Sequence, residues 1–194
     1  PVAAYPDVPW TTSLEDMIEM NAEAIGKKDE GEKLIEDLDA QTEKALDKYP
    51  ALKDKKVLFT AFGGTTDASK IGFYTTDDPR MGFLVEHGLG TPGIVEKNSE
   101  NAEQFWVEVS AEKPEEFNDV DLIVAYSTGN ADDDKKTLEE MQKDPLKGKI
   151  PAVQKRNVVF LENGPLGASA NQSPLSIPWG IDKYFEQLNS GLQA

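Results

Sequence analysis

The chain contains no cysteine, and its 194 residues include a single histidine, His87. Without cysteine there is no disulfide bond, no thiolate nucleophile and no cysteine-based zinc site. One histidine excludes a multi-histidine metal site, and the G-x-S-x-G turn that accompanies many Ser-His-Asp triads is absent. The spacing of an EF-hand calcium loop is absent too. These absences remove most of the common catalytic and metal-binding chemistries.

Basic residues are scarce, with 20 Lys and Arg against 36 Asp and Glu, so the formal net charge is -16 at pH 7. Such a chain has no basic stripe that could displace counterions from nucleic acid, and it would be repelled by anionic lipid. No apolar run approaches the roughly 18 residues of a membrane-spanning helix. We therefore expect no nucleic-acid partner and no direct membrane contact, and we interpret the acidity as favouring solubility.

One glycine-rich loop invites comparison with a nucleotide-binding site, but it does not match the known signatures. Residues 63–70, GGTTDASK, have the composition of a phosphate loop, but the second Gly and the Lys-Ser/Thr pair do not have the required spacing. Residues 63–70 do not contain the G-x-G-x-x-G fingerprint of dinucleotide-binding loops either. A Rossmann-like enzyme domain acting on a nucleotide or a sugar is therefore only the alternative hypothesis. A pure interaction domain without a ligand is the other alternative.

Two short apolar runs organise the rest of the chain. Residues 122–126, LIVAY, and 158–161, VVFL, are bounded by turn-forming residues, which is typical of buried strands. The charged segment between them predicts a surface helix, so together they predict a parallel βαβ unit. A further strand is predicted at 56–62, and an edge strand at 104–109. The pattern predicts an α/β fold of three layers, with a mostly parallel sheet between helices.

Capping residues predict where the helices begin. Ser13 fits the start of a short helix, and a longer amphipathic helix is predicted at 32–49, ended by a proline. Asp78 followed by proline predicts another start. His87 lies in the last turn of that helix, where we interpret it as structural. Ser173, also followed by proline, predicts the start of the last helix.

Ligands of such folds bind outside the carboxyl ends of the strands. Three loops meet this condition, at residues 62–80, 126–132 and 162–173, and they are rich in Gly, Ser, Thr and Asn. Because the three loops should converge, we expect them to form a binding rim rather than simple turns. The candidate ligand-binding residues in these loops are Tyr74, Arg80, Tyr126 and Asn163.

The order of several segments resembles a known family. These are DDPRMGFLVEHGLGTP, FWVEVSAEKPEEFNDVDLIVAYS, DPLKGKIPAVQKRNVVFL and SPLSIPWGIDKYFEQL. Together they resemble the periplasmic binding proteins that deliver ferric siderophores, haem or cobalamin to ABC importers. The resemblance implies an extended linker at 1–12, a short helix and a long inter-lobe helix at 13–50, and a Rossmann-like C-terminal lobe at 51–194. Members of this family are about twice as long and hold their ligand between two lobes, so the chain would carry half of a binding site.

The resemblance also implies roles for individual residues. Glu112, in Ser110-Ala-Glu112, matches the carboxylate with which the C-terminal lobe docks on permease arginines. The alternative is a helix N-terminal acid without a partner. Arg80 would bind an anionic ferric siderophore by charge, while Tyr74 and Tyr126 would stack on its arms. Arg80 could instead be an ordinary surface residue.

The resulting hypothesis is the C-terminal lobe of a binding protein that captures a ferric siderophore for an ABC importer, rather than an enzyme. A ferric siderophore is favoured over haem or cobalamin. No cofactor is expected, and iron would enter only as part of the bound complex. We expect an extracytoplasmic protein held at the membrane by a lipid anchor on a preceding N-terminal part. The chain would then be a processed form or a fragment, and its exposed lobe face could form a dimer.

Overall fold

The computed structural model describes residues 10–61, 69–100 and 104–192. The strands are β1 Val57–Phe59, β2 Lys70–Tyr74, β3 Trp106–Ser110, β4 Leu122–Tyr126 and β5 Val158–Leu161. The α-helices are α1 Leu14–Ala24, α2 Lys28–Leu46, α3 Pro79–Glu86, α4 Gly93–Ser99, α5 Ala131–Lys143, α6 Pro151–Gln154, α7 Pro165–Ala168 and α8 Ser176–Ser190. Short 3-10 helices cover Pro50–Leu52, Pro114–Phe117 and Lys147–Lys149. None of the helices in these ranges is long and apolar enough to cross a membrane.

The central sheet is parallel and has the strand order β1-β4-β5. Ile123 pairs with Val158, which confirms the predicted parallel strands on either side of α5. Val57 of β1 pairs with Leu122 on the other side of β4. The segment predicted as an edge strand lies elsewhere, because β3 pairs antiparallel with β2 in a separate two-stranded sheet. Tyr74 and Trp106 are partners in that second sheet.

The predicted three layers are confirmed by the burial of alternate strand residues. Phe59 and Val124 belong to a core shared with α2, α3 and α8. Leu58 and Ile123 belong to a second core with α4, α5 and α6 on the opposite face. Because both faces of the central sheet are covered, its strands β1, β4 and β5 are apolar throughout rather than alternating.

The long helix begins one turn earlier than predicted, at Lys28 rather than residue 32, and ends at Leu46 rather than 49. Gly26 has a φ of 71° and lets the chain leave α1 sharply, with the Lys27 amide donating to the carbonyl of Ala22. Gly31 of α2 is buried against α1. A Cβ at this position would lie only 2.5 Å from the Cβ of Ala22, so only glycine fits without a shift of the helices. Gly26 thus allows the turn between the two helices, and Gly31 allows the close packing of α1 on α2.

Other boundaries also differ from the prediction. β1 ends at Phe59, short of the predicted residue 62, which lies outside the described residues. The last helix begins at Ser176, with the hydroxyl of Ser173 accepting its amide hydrogen bond, so the predicted cap lies one turn too early. Asp78 does cap α3 as predicted. His87 ends α3 with Nδ1 2.8 Å from the Phe83 carbonyl, which agrees with a structural role.

We expect Gly31→Ala to destabilise the protein by about 1–3 kcal/mol, since the added methyl overpacks the α1–α2 contact. Helix propensity alone would favour alanine at this position. Gly93→Ala is the matched control, because a Cβ at the start of α4 meets only an ordinary contact at 3.6 Å. Urea unfolding of both variants measures the difference. Equal free energies of unfolding for the two variants would contradict the close α1–α2 packing.

Candidate ligand-binding site

Two of the predicted rim loops meet at the carboxyl edge of the parallel sheet. The loop after β4 is held by Asp134 of α5, which accepts hydrogen bonds from the Ser127 hydroxyl and the Thr128 amide. Gly129 in this loop has a φ of 91°, and a Cβ there would lie 3.0 Å from the side-chain nitrogen of Asn163. Asn163 is exposed in the turn after β5. The sheet therefore brings residues 126–132 and 162–164 together as expected.

An aromatic cluster lies beside this edge. The ring of Phe59 is 5.6 Å from that of Tyr74 and 5.7 Å from that of Tyr126, measured between centroids. Trp106 meets Tyr74 edge to face at 4.9 Å. Tyr74 is 8% exposed, whereas Tyr126 and Trp106 are half-buried. Contacts of this kind fix the ring orientations and leave two large aromatic residues partly open to a ligand.

Arg80 lies on this cluster and is held by Asp78. The Nε of Arg80 donates to Asp78 Oδ1 at 2.7 Å, and Nη2 donates to Oδ2 at 2.6 Å. The guanidinium carbon is 3.9 Å from the centroid of the Tyr74 ring, in a cation–π contact. Since Asp78 also caps the Arg80 amide, the arginine side chain turns back across the start of α3. The side chains of Arg80 and Asp78 are 15% and 0% exposed.

The local electrostatics keep the guanidinium charged. Burial alone would lower the pKa of Arg80, but the hydrogen bonds and charge of Asp78 and a hydrogen bond to Tyr126 raise it overall. Burial also raises the pKa of Tyr74, against the opposing effect of Arg80. Tyr74 is therefore neutral near pH 7, and its ring face rather than a charge lies against Arg80.

Tyr184 of α8 is fully buried under this region. Burial raises the pKa of its hydroxyl, with smaller effects from Tyr126 and Arg80. That hydroxyl has no hydrogen-bond partner among the residues the structure describes. An unpaired buried hydroxyl costs stability, so Tyr184 is a polar group that the sheet and its helices leave unsatisfied below the site.

The predicted site residues thus divide into two groups. Tyr74, Arg80 and Tyr126 form one cluster, and Asn163 lines the neighbouring loop. Glu112 is separate, exposed in the turn after β3, at the far end of that strand from Trp106. Its amide donates to the Ser110 hydroxyl at 3.2 Å, and the next helical turn begins only at Pro114, so Glu112 precedes that turn rather than lying in it. Residues 62–68 of the first loop lie outside the described residues.

Trp106 and Asp78 were not predicted from the sequence as residues of this site. Trp106 reaches Tyr74 through the register of β2 and β3, which pairs residues 32 positions apart and leaves no local signal. Asp78 was recognised as a helix cap, but its two hydrogen bonds to the Arg80 side chain were not anticipated. The signal was available, because a capping carboxylate two residues before an arginine places opposite charges within reach.

The groups in this arrangement are suited to binding a ligand. In the described ranges, no group of three or more His, Cys, Asp or Glu residues is placed to hold a metal ion. The site offers a charged hydrogen-bond donor, hydroxyl groups and aromatic surface, all fixed by packing. A rigid surface of this kind suits recognition of a preformed ligand.

Fold and site together define an α/β ligand-binding lobe. A family model for periplasmic binding proteins matches residues 1–164, so the chain belongs to the periplasmic binding protein family. That family consists of solute-binding proteins. A comparison with curated protein sequences gave no match.

Several solved structures have a similar fold. PiaA of Streptococcus pneumoniae TIGR4, in complex with ferrichrome, is 40% identical with a TM-score of 0.86, over 100% of this chain and 63% of that one. A second structure of PiaA is 39% identical with a TM-score of 0.84, over 100% and 64%. FhuD2 of Staphylococcus aureus shares the fold at 19% identity, with a TM-score of 0.64 over 98% and 68%. The chain therefore spans less than two thirds of the length of PiaA.

We expect Tyr184→Phe to raise the free energy of unfolding by about 1 kcal/mol, because it removes the unpaired buried hydroxyl without changing the ring. Tyr126→Phe is the contrasting variant and should not stabilise, since Tyr126 is half-buried and its hydroxyl is not one of the buried polar atoms without a hydrogen-bond partner. Urea unfolding measures both. A loss of stability in Tyr184→Phe would show that the hydroxyl is paired.

Proposed function

We propose that the chain is the C-terminal lobe of a solute-binding protein that captures a ferric siderophore and delivers it to an ABC importer. The observation that supports this most directly is the placement of Arg80 over Tyr74 at the carboxyl edge of the sheet. A guanidinium can donate to the oxygen atoms that surround iron in a siderophore, and aromatic rings can contact the ligand arms. The 40% identity to PiaA, which was solved with ferrichrome, favours this cargo over haem or cobalamin.

A second lobe would complete the site. The apolar surface of α1 and α2 supports this proposal, because the two helices and residues 171–174 enclose a groove of about 560 Å³. Ile25 and Leu34 beside this α1–α2 groove are 71% and 37% exposed. Exposed apolar side chains that lie together in a groove can contribute to an interface. We propose that the part of the relatives' length that this chain does not span packs here, with α2 as the inter-lobe helix.

Two further proposals concern the oligomeric state of the chain and its location in the cell. In the isolated chain the α1–α2 groove could pair two copies, and sedimentation at increasing concentration would detect such a dimer. We propose an extracytoplasmic location, supported by the family, with a lipid anchor on a preceding segment. Labelling of the longer polypeptide with a radioactive fatty acid would test the anchor, and absence of label would remove that part of the proposal.

Ferrichrome should quench the tryptophan fluorescence of the chain saturably, because Trp106 lies against Tyr74. Arg80→Gln should weaken binding at least tenfold, since charge-assisted hydrogen bonds contribute about 1.5–3 kcal/mol. Arg156→Gln is the matched control, because Arg156 is exposed, in the turn before β5. No saturable quenching at millimolar ferrichrome, in the chain and in a two-lobe polypeptide containing it, would contradict the proposal.

Docking on a permease is proposed for Glu112, whose exposed carboxylate lies away from the aromatic cluster. In the two-lobe polypeptide reconstituted with its importer, Glu112→Arg should reduce stimulation of ATP hydrolysis at least tenfold without changing ferrichrome affinity. The reversed charge would meet the permease arginines with repulsion. Glu115→Arg, an exposed neighbour, is the control. Equal stimulation by both variants would rule out this role.

A further inference from the structure

The arginine of the site, Arg80, forms an ion pair with Asp78. Asp78 is 0% exposed, and each of its carboxylate oxygens accepts a hydrogen bond from the Arg80 side chain. The formal charges of +1 and -1 therefore cancel inside the lobe rather than at its surface. Because both groups are largely withdrawn from water, solvent and salt screen this pair little.

Within the part of the chain that the structure describes, the side chains of the aromatic cluster beside the pair are uncharged or have a raised pKa. Phe59 and Trp106 do not ionise, burial raises the pKa of Tyr74, and the charged side chains that act on the Tyr74 hydroxyl are Arg80 and Asp78. The chain as a whole has a formal net charge of -16. An anionic ligand would therefore meet a neutral site on an acidic protein, with no net attraction to offset the cost of its desolvation.

Asp78 also fixes the direction of the guanidinium. The guanidinium of Arg80 has five N–H donors. Asp78 accepts hydrogen bonds from two of them, the N–H of Nε and one N–H of Nη2. The Tyr74 ring at 3.9 Å supports one face of the guanidinium plane. The edge of the guanidinium away from Asp78 is thus held in one orientation, as a hydrogen-bond donor with little free charge.

Ferric siderophores differ in the charge that such a site would meet. Three hydroxamate groups, each with one negative charge, neutralise Fe(III), whereas three catecholate groups leave a complex of charge -3. We propose that Asp78 sets the charge selectivity of the site, by neutralising Arg80 so that it donates hydrogen bonds to an uncharged ferric complex and does not attract an anionic one. This inference rests on the proposed siderophore function.

The test compares dissociation constants for two hexadentate probes, ferrichrome and ferric enterobactin, by tryptophan quenching at low ionic strength. The native chain should bind ferrichrome at least tenfold more tightly. Asp78→Asn leaves Arg80 uncompensated and should reduce this preference at least tenfold, with an effect that declines as salt is added. Asp77→Asn, which removes the same charge from an exposed neighbour, should leave the preference unchanged.

Arg80→Gln provides the opposite change, because it leaves the charge of Asp78 uncompensated. Its affinity for both probes should fall, but the preference for ferrichrome should rise. The double variant Asp78→Asn/Arg80→Gln has no net charge at the site, so it should restore the native preference at lower affinity. If Asp78 had only a structural role, Asp78→Asn would lower the affinity for both probes by the same factor. The two single variants would then not change the preference for ferrichrome in opposite directions.

The outcomes separate the two proposals. If the native chain binds neither probe, in isolation and within a two-lobe polypeptide, the siderophore function fails and this inference fails with it. If the native chain binds ferric enterobactin as tightly as ferrichrome, the charge selectivity is wrong while the siderophore function stands. If Asp78→Asn binds ferrichrome normally and keeps the native preference, Asp78 does not set it.

Discussion

A buried carboxylate that holds a nearly buried guanidinium is the interaction on which the candidate site depends. A lone charge in this position would be costly, because burial removes the water that stabilises it. Asp78 offsets that cost for Arg80 through two side-chain hydrogen bonds, and the Tyr74 ring covers one face of the guanidinium. The pair also explains the start of α3, since the same carboxylate caps the first turn. Asp78 thus ends an extended segment, starts a helix and orients the guanidinium of Arg80.

The fold brings separate parts of the chain to this pair. Parallel strands place Phe59 and Tyr126 at the same edge of the sheet, because β1 and β4 lie side by side. The second sheet delivers Tyr74 and Trp106 as cross-strand partners. The antiparallel pairing of β2 with β3 places these two aromatic side chains next to the carboxyl edge of the parallel sheet. The departure from a uniform parallel sheet therefore builds the site rather than weakening the fold.

Local signals in the sequence were sufficient for the framework of the fold. The apolar runs around residues 122–126 and 158–161 predicted the parallel strands, and Asp78 followed by proline predicted α3. Non-local features could not be predicted in this way. The partnership of Trp106 with Tyr74 depends on strand register, and the early start of α2 depends on Gly31 packing against Ala22. In each case the deciding contact joins residues that are distant in the sequence or on different helices.

The site also shows why a list of candidate residues is not yet a binding mechanism. Tyr74 was predicted to contact a ligand, yet it is nearly buried, and its ring supports Arg80. Tyr126 and Trp106 are more open, so they are better placed to meet a ligand, while Tyr74 determines where the guanidinium lies. A rigid half-site of this kind loses little conformational entropy when a ligand arrives. Affinity would then depend mainly on the facing lobe, and selectivity on the charge balance that Arg80 and Asp78 establish before any ligand binds.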